Sequence, residues 1–93
     1  MTLGNDPPEK SLIEYPSAFP IKVMGAHVEG FTEAIAAIAH NFDPAFDAAS
    51  VESRPSKAGN YLGLTITVTA TSREQLDDLY RTLSTHPMVR YVL

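Results

Sequence analysis

Side chains alternate without interruption from Leu62 to Ala70, with Leu64, Ile66, Val68 and Ala70 on one side and Gly63, Thr65, Thr67 and Thr69 on the other. A period of two sustained over that length predicts a β-strand with one buried face. A second alternation, Phe19 to Met24, sets Phe19, Ile21 and Val23 against Lys22 and Met24 and predicts a first strand, broken at Gly25. Val28, Phe31, Ile35, Ile38 and Phe42 then recur at spacings of three and four, one stripe of a helix that Pro44 ends. No cap residue signs its start, and Gly30 inside the pattern lowers helical propensity by about 1 kcal/mol relative to alanine.

Ala49 to Ser53 predicts a short second strand. Val51 is its one strong β-former and the nearby Pro55 lacks a backbone donor, both suited to a sheet edge. Ala58-Gly59-Asn60 makes a turn into the long strand. Beyond it, Thr71 and Ser72 are each followed three residues on by Glu74 and Gln75, two overlapping capping boxes for a second helix. Leu76, Leu79, Tyr80 and Leu83 form its apolar stripe, His86-Pro87 closes it, and Val89, Tyr91 and Leu93 predict an inward-facing last strand.

The order is βαββαβ. Two helices of one-sided apolarity on a four-stranded sheet give an α+β, ferredoxin-like split-βαβ fold, with antiparallel strand order 4-1-3-2 and both helices on one face. Its core is expected to hold Phe19, Ile21, Val23, Phe31, Ile35, Ile38, Leu64, Ile66, Val68, Leu76, Leu79 and Leu83. The other sheet face, carrying Lys22, Met24, Glu52, Arg54, Thr65, Thr67, Thr69 and Arg90, is left open. Residues 1–11 read as a disordered tail and 12–93 as a single domain.

Composition narrows the functional classes. The 93 residues are 44% hydrophobic, enough for one small core. With no cysteine, disulfides, thiol nucleophiles and cysteine-ligated zinc are excluded, and a cytoplasmic setting is the simplest expectation. Asp6, Pro7, Pro8 and Glu9 interrupt the N-terminus where a signal peptide would need an apolar run, and Ala34 to Ala39 is too short to cross a bilayer. A net charge of −4 argues against nucleic acid as a partner. The charge is unevenly placed, with Lys22, Arg54, Lys57 and Arg90 on strands or the hairpin and Glu29, Glu33, Glu74, Asp77 and Asp78 on helices. A water-facing sheet surface accounts for the same pattern.

Three segments carry a family resemblance: Glu14-Tyr15-Pro16 with Phe19 and Ile21-Lys22-Val23-Met24-Gly25, then Pro55-Ser56-Lys57-Ala58-Gly59-Asn60-Tyr61, then Val89-Arg90-Tyr91-Val92-Leu93. From Leu12 to Leu93 the chain resembles the YbeD-like family of small bacterial proteins, whose domain has no established role. The resemblance implies a fold similar to the ACT regulatory domains of amino-acid enzymes. Gly30-Phe31-Thr32-Glu33-Ala34-Ile35 also looks like the helix start near which ACT domains hold an amino acid, which makes Gly25 and Gly30 candidate ligand positions. No proline precedes Gly30, and His27 and Glu29 are no anchor for a ligand carboxylate.

Enzyme chemistry finds little footing. An acylphosphatase-type phosphate loop needs a cation after the first strand, and Val23 to Ile35 holds neither arginine nor lysine. His27, His40 and His86 have no metal-ligand spacing, and His40 and His86 suit the C-terminal ends of helix dipoles. Ser56 and Ser72 have no histidine nearby in sequence. Base stacking would need aromatics where Lys22, Met24 and threonines stand. Ser56, Lys57, Asn60 and Tyr61 form a polar cluster able to take a small anion or a partner's backbone, though turn geometry alone also explains Gly59 and Asn60. The expectation is a non-enzymatic regulatory or adaptor domain, without cofactor or metal, binding a small metabolite or a protein partner. A purely structural interaction module is the alternative, and homodimerisation through a sheet edge or the open face is expected.

Overall fold

The computed structural model describes residues 14–93; the expected tail and the start of the domain at Leu12 lie outside them. Strand β1 (Ser17–Ala26) leads to helix α1 (Phe31–Phe42), then to β2 (Glu52–Pro55), β3 (Tyr61–Ala70), α2 (Arg73–Ser84) and β4 (Val89–Val92). The sheet order β2-β3-β1-β4 is the expected one, and each neighbouring pair is antiparallel. β1 and β3 pair along ten residues, from Ser17 opposite Ala70 to Ala26 opposite Tyr61, and make the spine.

The alternating faces of that spine decide the core. Ile21, Val23, Leu64, Ile66 and Val68 point to one side and meet Phe31, Ile35 and Ala39 of α1 and Leu79 and Leu83 of α2. Gly25 extends this row and is buried. A Cβ there would overlap the Phe31 ring and the Met88 carbonyl, so this glycine lets the first helix sit down on the sheet.

Several boundaries differ from the sequence expectation, each for a local reason. Val28 is 49% exposed and, with Glu29, precedes α1. Gly30 is the N-cap, at φ 91° in the left-handed region that favours glycine, so it begins the helix and does not weaken its interior. The second strand starts only at Glu52, because Ala48–Ser50 closes into a 3₁₀ turn whose Asp47 carboxylate accepts the Ala49 N–H at 3.0 Å. Ser72, not Thr71, caps α2: its Oγ accepts the Gln75 N–H at 3.0 Å. His86 Nδ1 accepts the Met88 N–H at 3.1 Å and shapes the turn into β4.

Tyr91 and Leu93 do not face inward; they are 50% and 68% exposed. Met24 pairs with Tyr91 but Gly25 pairs with Val89, which leaves Arg90 as the extra residue of a β-bulge. Val89 and Val92, three apart, can thereby both pack against the core, a spacing that a regular strand forbids.

Candidate functional site

The bulge rebuilds the open sheet face. With Val92 turned inward, Tyr91 and Leu93 join Met24 on the outside. The cross-strand order reads Arg54, Gly63, Met24, Tyr91 in one row. Glu52, Thr65, Lys22 and Leu93 make the next, the last two joined by reciprocal backbone hydrogen bonds of 2.8 and 3.3 Å. These two rows line a hollow of about 640 Å³. A second hollow of about 460 Å³ adjoins it, bounded by Met24, Ser56, Tyr61, Arg90 and Tyr91. Together they make a furrow with an apolar strip of Met24, Tyr91, Leu93 and Tyr61. Gly63 sits beneath that strip: a Cβ there would lie 3.3 Å from Met24 Cε, so the missing side chain lets the thioether lie flat across the strand.

Cations flank the strip. Arg90 Cζ stands 5.9 Å from the centre of the Tyr61 ring, within the range of a cation–π contact. Among the described residues, ion pairs join Arg73 to Asp77 and Arg81 to Asp78, both within α2; Lys22, Arg54 and Arg90 are in none. Among the described residues, Glu52 is the one acidic side chain lining the furrow. Helix α2 sets Glu74, Asp77 and Asp78 against Arg73 and Arg81, and α1 adds Glu33, so the helix side carries a net acidic charge and the sheet face a net basic one.

The hairpin cluster is differently engaged. Ser56 Oγ accepts the Tyr61 N–H at 3.1 Å, and the Ser56 carbonyl accepts the Gly59 N–H at 2.9 Å. Gly59 has φ 82°, so glycine serves the turn. His27 grips the same loop: its Nδ1–H donates to the Gly59 carbonyl at 3.0 Å and its backbone N–H to the Asn60 carbonyl at 3.2 Å. Lys57 and Asn60 are exposed at the loop's rim. Of the candidate positions, Lys22, Arg54, Arg90, Tyr61 and Ser56 converge on the furrow, while Lys57 and Asn60 stand beside it. Gly25, buried under Phe31, and Gly30, at the helix start, lie elsewhere.

Two groups escaped the sequence reading. Tyr91 and Leu93 were hidden by the bulge. Asp43 is 7% exposed, and its two carboxylate oxygens accept the N–H groups of Ala45 at 3.0 Å and Thr69 at 2.9 Å. The Asp-Pro pair ending α1 signals a turn but gives no sign of the distant strand. Among the described residues no group of three or more histidine, aspartate or glutamate side chains is placed to hold a metal ion, and no helix is long and apolar enough to cross a membrane.

Comparison with known proteins agrees with this architecture. The solution structure of protein HP0495 from H. pylori superimposes with a TM-score of 0.72 over 87% of this chain and 85% of that one, at 15% identity, a likeness of fold. A UPF0250 protein of Leptothrix cholodnii is 79% identical over 87 residues, 94% of this chain and 96% of its own. Another, from Bordetella parapertussis, is 66% identical over 91 residues, 98% of this chain and the whole of that one. Residues 10–93 match the family described as protein of unknown function, DUF493. The chain therefore belongs to the DUF493 (UPF0250) family, the YbeD-like family that its three sequence segments resemble.

Proposed function

We propose that this protein is a cytoplasmic, non-catalytic adaptor that docks a protein partner on its open sheet face. The observation that carries the reading is the furrow itself: an apolar strip of half-buried Met24 and exposed Tyr91 and Leu93 between Lys22, Arg54 and Arg90 on an otherwise acidic domain. Apolar side chains gathered on a surface and rimmed by polar ones mark interaction sites more than isolated exposed ones do. Aromatic and arginine side chains are also those that most often anchor interfaces.

The non-catalytic part of the reading draws on how reactive groups are used. Ser56 Oγ accepts a backbone N–H, His27 Nδ1 donates to a carbonyl, and His86 Nδ1 accepts from Met88. These are the roles of turn-builders. A nucleophile needs a base in hydrogen-bond reach, oriented by a third group.

A photo-crosslinking amino acid placed at Tyr91 in the native cell, with the same group at Asp78 on α2 as control, tests the proposal. A discrete protein adduct from Tyr91 that the control lacks, and that the charge reversals Lys22→Glu and Arg90→Glu together remove, is expected. Equal adducts from both positions, or none from Tyr91, would sink it. A thermal-shift screen against the amino acids tests the metabolite reading, because a ligand of the folded state alone must raise the midpoint.

A further inference from the structure

We infer that the occupant of this furrow is an amphipathic α-helix with an apolar stripe between acidic flanks. This rests on the docking reading above and specifies the partner's local structure and charge. Backbone pairing favours a helix. β3 lies between β2 and β1, and β1 between β3 and β4, so the floor has already paired its backbone groups. An extended segment laid across it would press its own N–H and C=O groups onto Met24 and Tyr91 with nothing to bond, and buried backbone groups are almost always paired. A helix arrives with those bonds made.

Size and shape agree. From β2 to β4 is three interstrand spacings, about 14 Å, and a helix with its side chains is roughly 10–12 Å across. At Gly63 the sheet carries no side chain and the Met24 thioether lies low across it, an apolar floor of unbranched, adaptable shape on which a ridge of the incoming helix can settle.

Charge selects the flanks. Among the described side chains lining the furrow, Lys22, Arg54 and Arg90 meet one acid, Glu52, so an acidic occupant is favoured and a basic one repelled. The same excess disfavours a second copy docked face to face, which would set the three cations against their equivalents. A copy docked through its helix side would be a head-to-tail contact, which builds rings or filaments and not an isologous dimer.

The test uses the full chain and three synthetic peptides of about 18 residues, long enough for a helix of about 27 Å. One carries leucines at helical spacing among glutamates, one has the same composition in strict alternation, and one repeats the helical pattern with lysine for glutamate. Binding is followed by nuclear magnetic resonance, at the Met24 methyl and the Tyr91 backbone amide. The acidic helical peptide is expected to shift these signals and to bind on the order of tenfold more tightly than either other peptide. A similar loss is expected in the Lys22→Glu, Arg90→Glu protein and at high salt, as the screening length falls from about 10 Å at 0.1 M to about 3 Å at 1 M. Equal binding of the alternating peptide overturns the helix, equal binding of the lysine peptide overturns the charge assignment, and unmoved furrow signals overturn both. Self-assembly in sedimentation that the two reversals abolish assigns the face to a second copy and overturns the inference as well. The crosslink from Tyr91 separates the levels: with it present and no helical preference, this inference alone fails, and with it absent the docking reading fails too.

Discussion

Asp43 Oδ2 accepts the backbone N–H of Thr69 at 2.9 Å, across 26 residues of chain. Among the described residues β2 pairs with β3 only from Leu62 to Thr65, so beyond it their strands leave the outer edge of β3 unpaired. The carboxylate substitutes for that strand and, through Oδ1 on Ala45, also turns the chain out of α1. Gln75 completes the junction by donating to the Phe42 carbonyl at 2.9 Å and accepting the Thr71 N–H at 2.7 Å.

Replacing Asp43 by alanine should therefore cost about 1–3 kcal/mol, since two partly buried N–H groups lose their acceptor. Asp43→Asn should cost less, because the amide oxygen keeps one of them. Urea unfolding of both variants checks this. An alanine variant within about 0.5 kcal/mol of the native protein would mean that water replaces the carboxylate freely.

The contrast between this junction and the strands explains what the sequence made legible. β1 and β3 announce themselves because alternation is a property of neighbouring residues, and Phe31, Ile35, Leu79 and Leu83 announce the helices for the same reason. Asp43 contacts a strand 26 residues away, and Arg90 is the odd residue of a bulge only by virtue of the register between β4 and β1. Neither relation is written locally. The positive side of the open face, Lys22, Arg54 and Arg90, was readable from alternation; its apolar strip was not, since Tyr91 and Leu93 change sides only through the bulge.

Truncating Ile66 tests the core. It is fully buried at the centre of β3, opposite Ile21. Ile66→Ala should cost about 2–5 kcal/mol, a large part of the roughly 5–15 kcal/mol that holds a domain together. Equilibrium unfolding measures it, and a loss under half a kilocalorie would contradict the assigned face.

Gly25→Ala probes the contact between β1 and α1. The added methyl would meet the Phe31 ring and the Met88 carbonyl, and overpacking of this kind costs typically 1–3 kcal/mol. A Phe31→Leu background should relieve part of that cost, so the double-mutant cycle should show favourable coupling. Additive losses would place the strain at Met88 instead.

Burial raises the Tyr80 phenol above its ordinary value of 10.0. The folded state then holds its proton more tightly than the unfolded chain does. The stabilisation is present in full below pH 10 and is lost as pH rises through the raised folded value. Unfolding midpoints followed from neutral to strongly alkaline pH should fall more steeply for the native protein than for Tyr80→Phe, which has no phenol to ionise. Parallel curves would refute the assignment.

The last prediction separates docking from folding at one position. Gly63 lies in the interior of β3, where glycine forgoes both β-propensity and a reduction of unfolded-state entropy. Threonine already occupies Thr65 and Thr67 on the same face, and the nearest atoms to a Cβ at 63 are the flexible end of Met24 at 3.3 Å and the Arg54 carbonyl at 3.6 Å. Gly63→Thr should therefore leave the protein as stable as before, or more stable by about 0.4–1 kcal/mol. The same side chain would fill the floor of the furrow and lift Met24 into it, so adduct formation from Tyr91 should fall sharply with every cation in place. A residue kept only for folding would give the reverse, with lost stability and unchanged capture. Gain of stability together with loss of capture is the combination that ties this glycine to the furrow, and thermal unfolding with crosslinking on the same variant reads both.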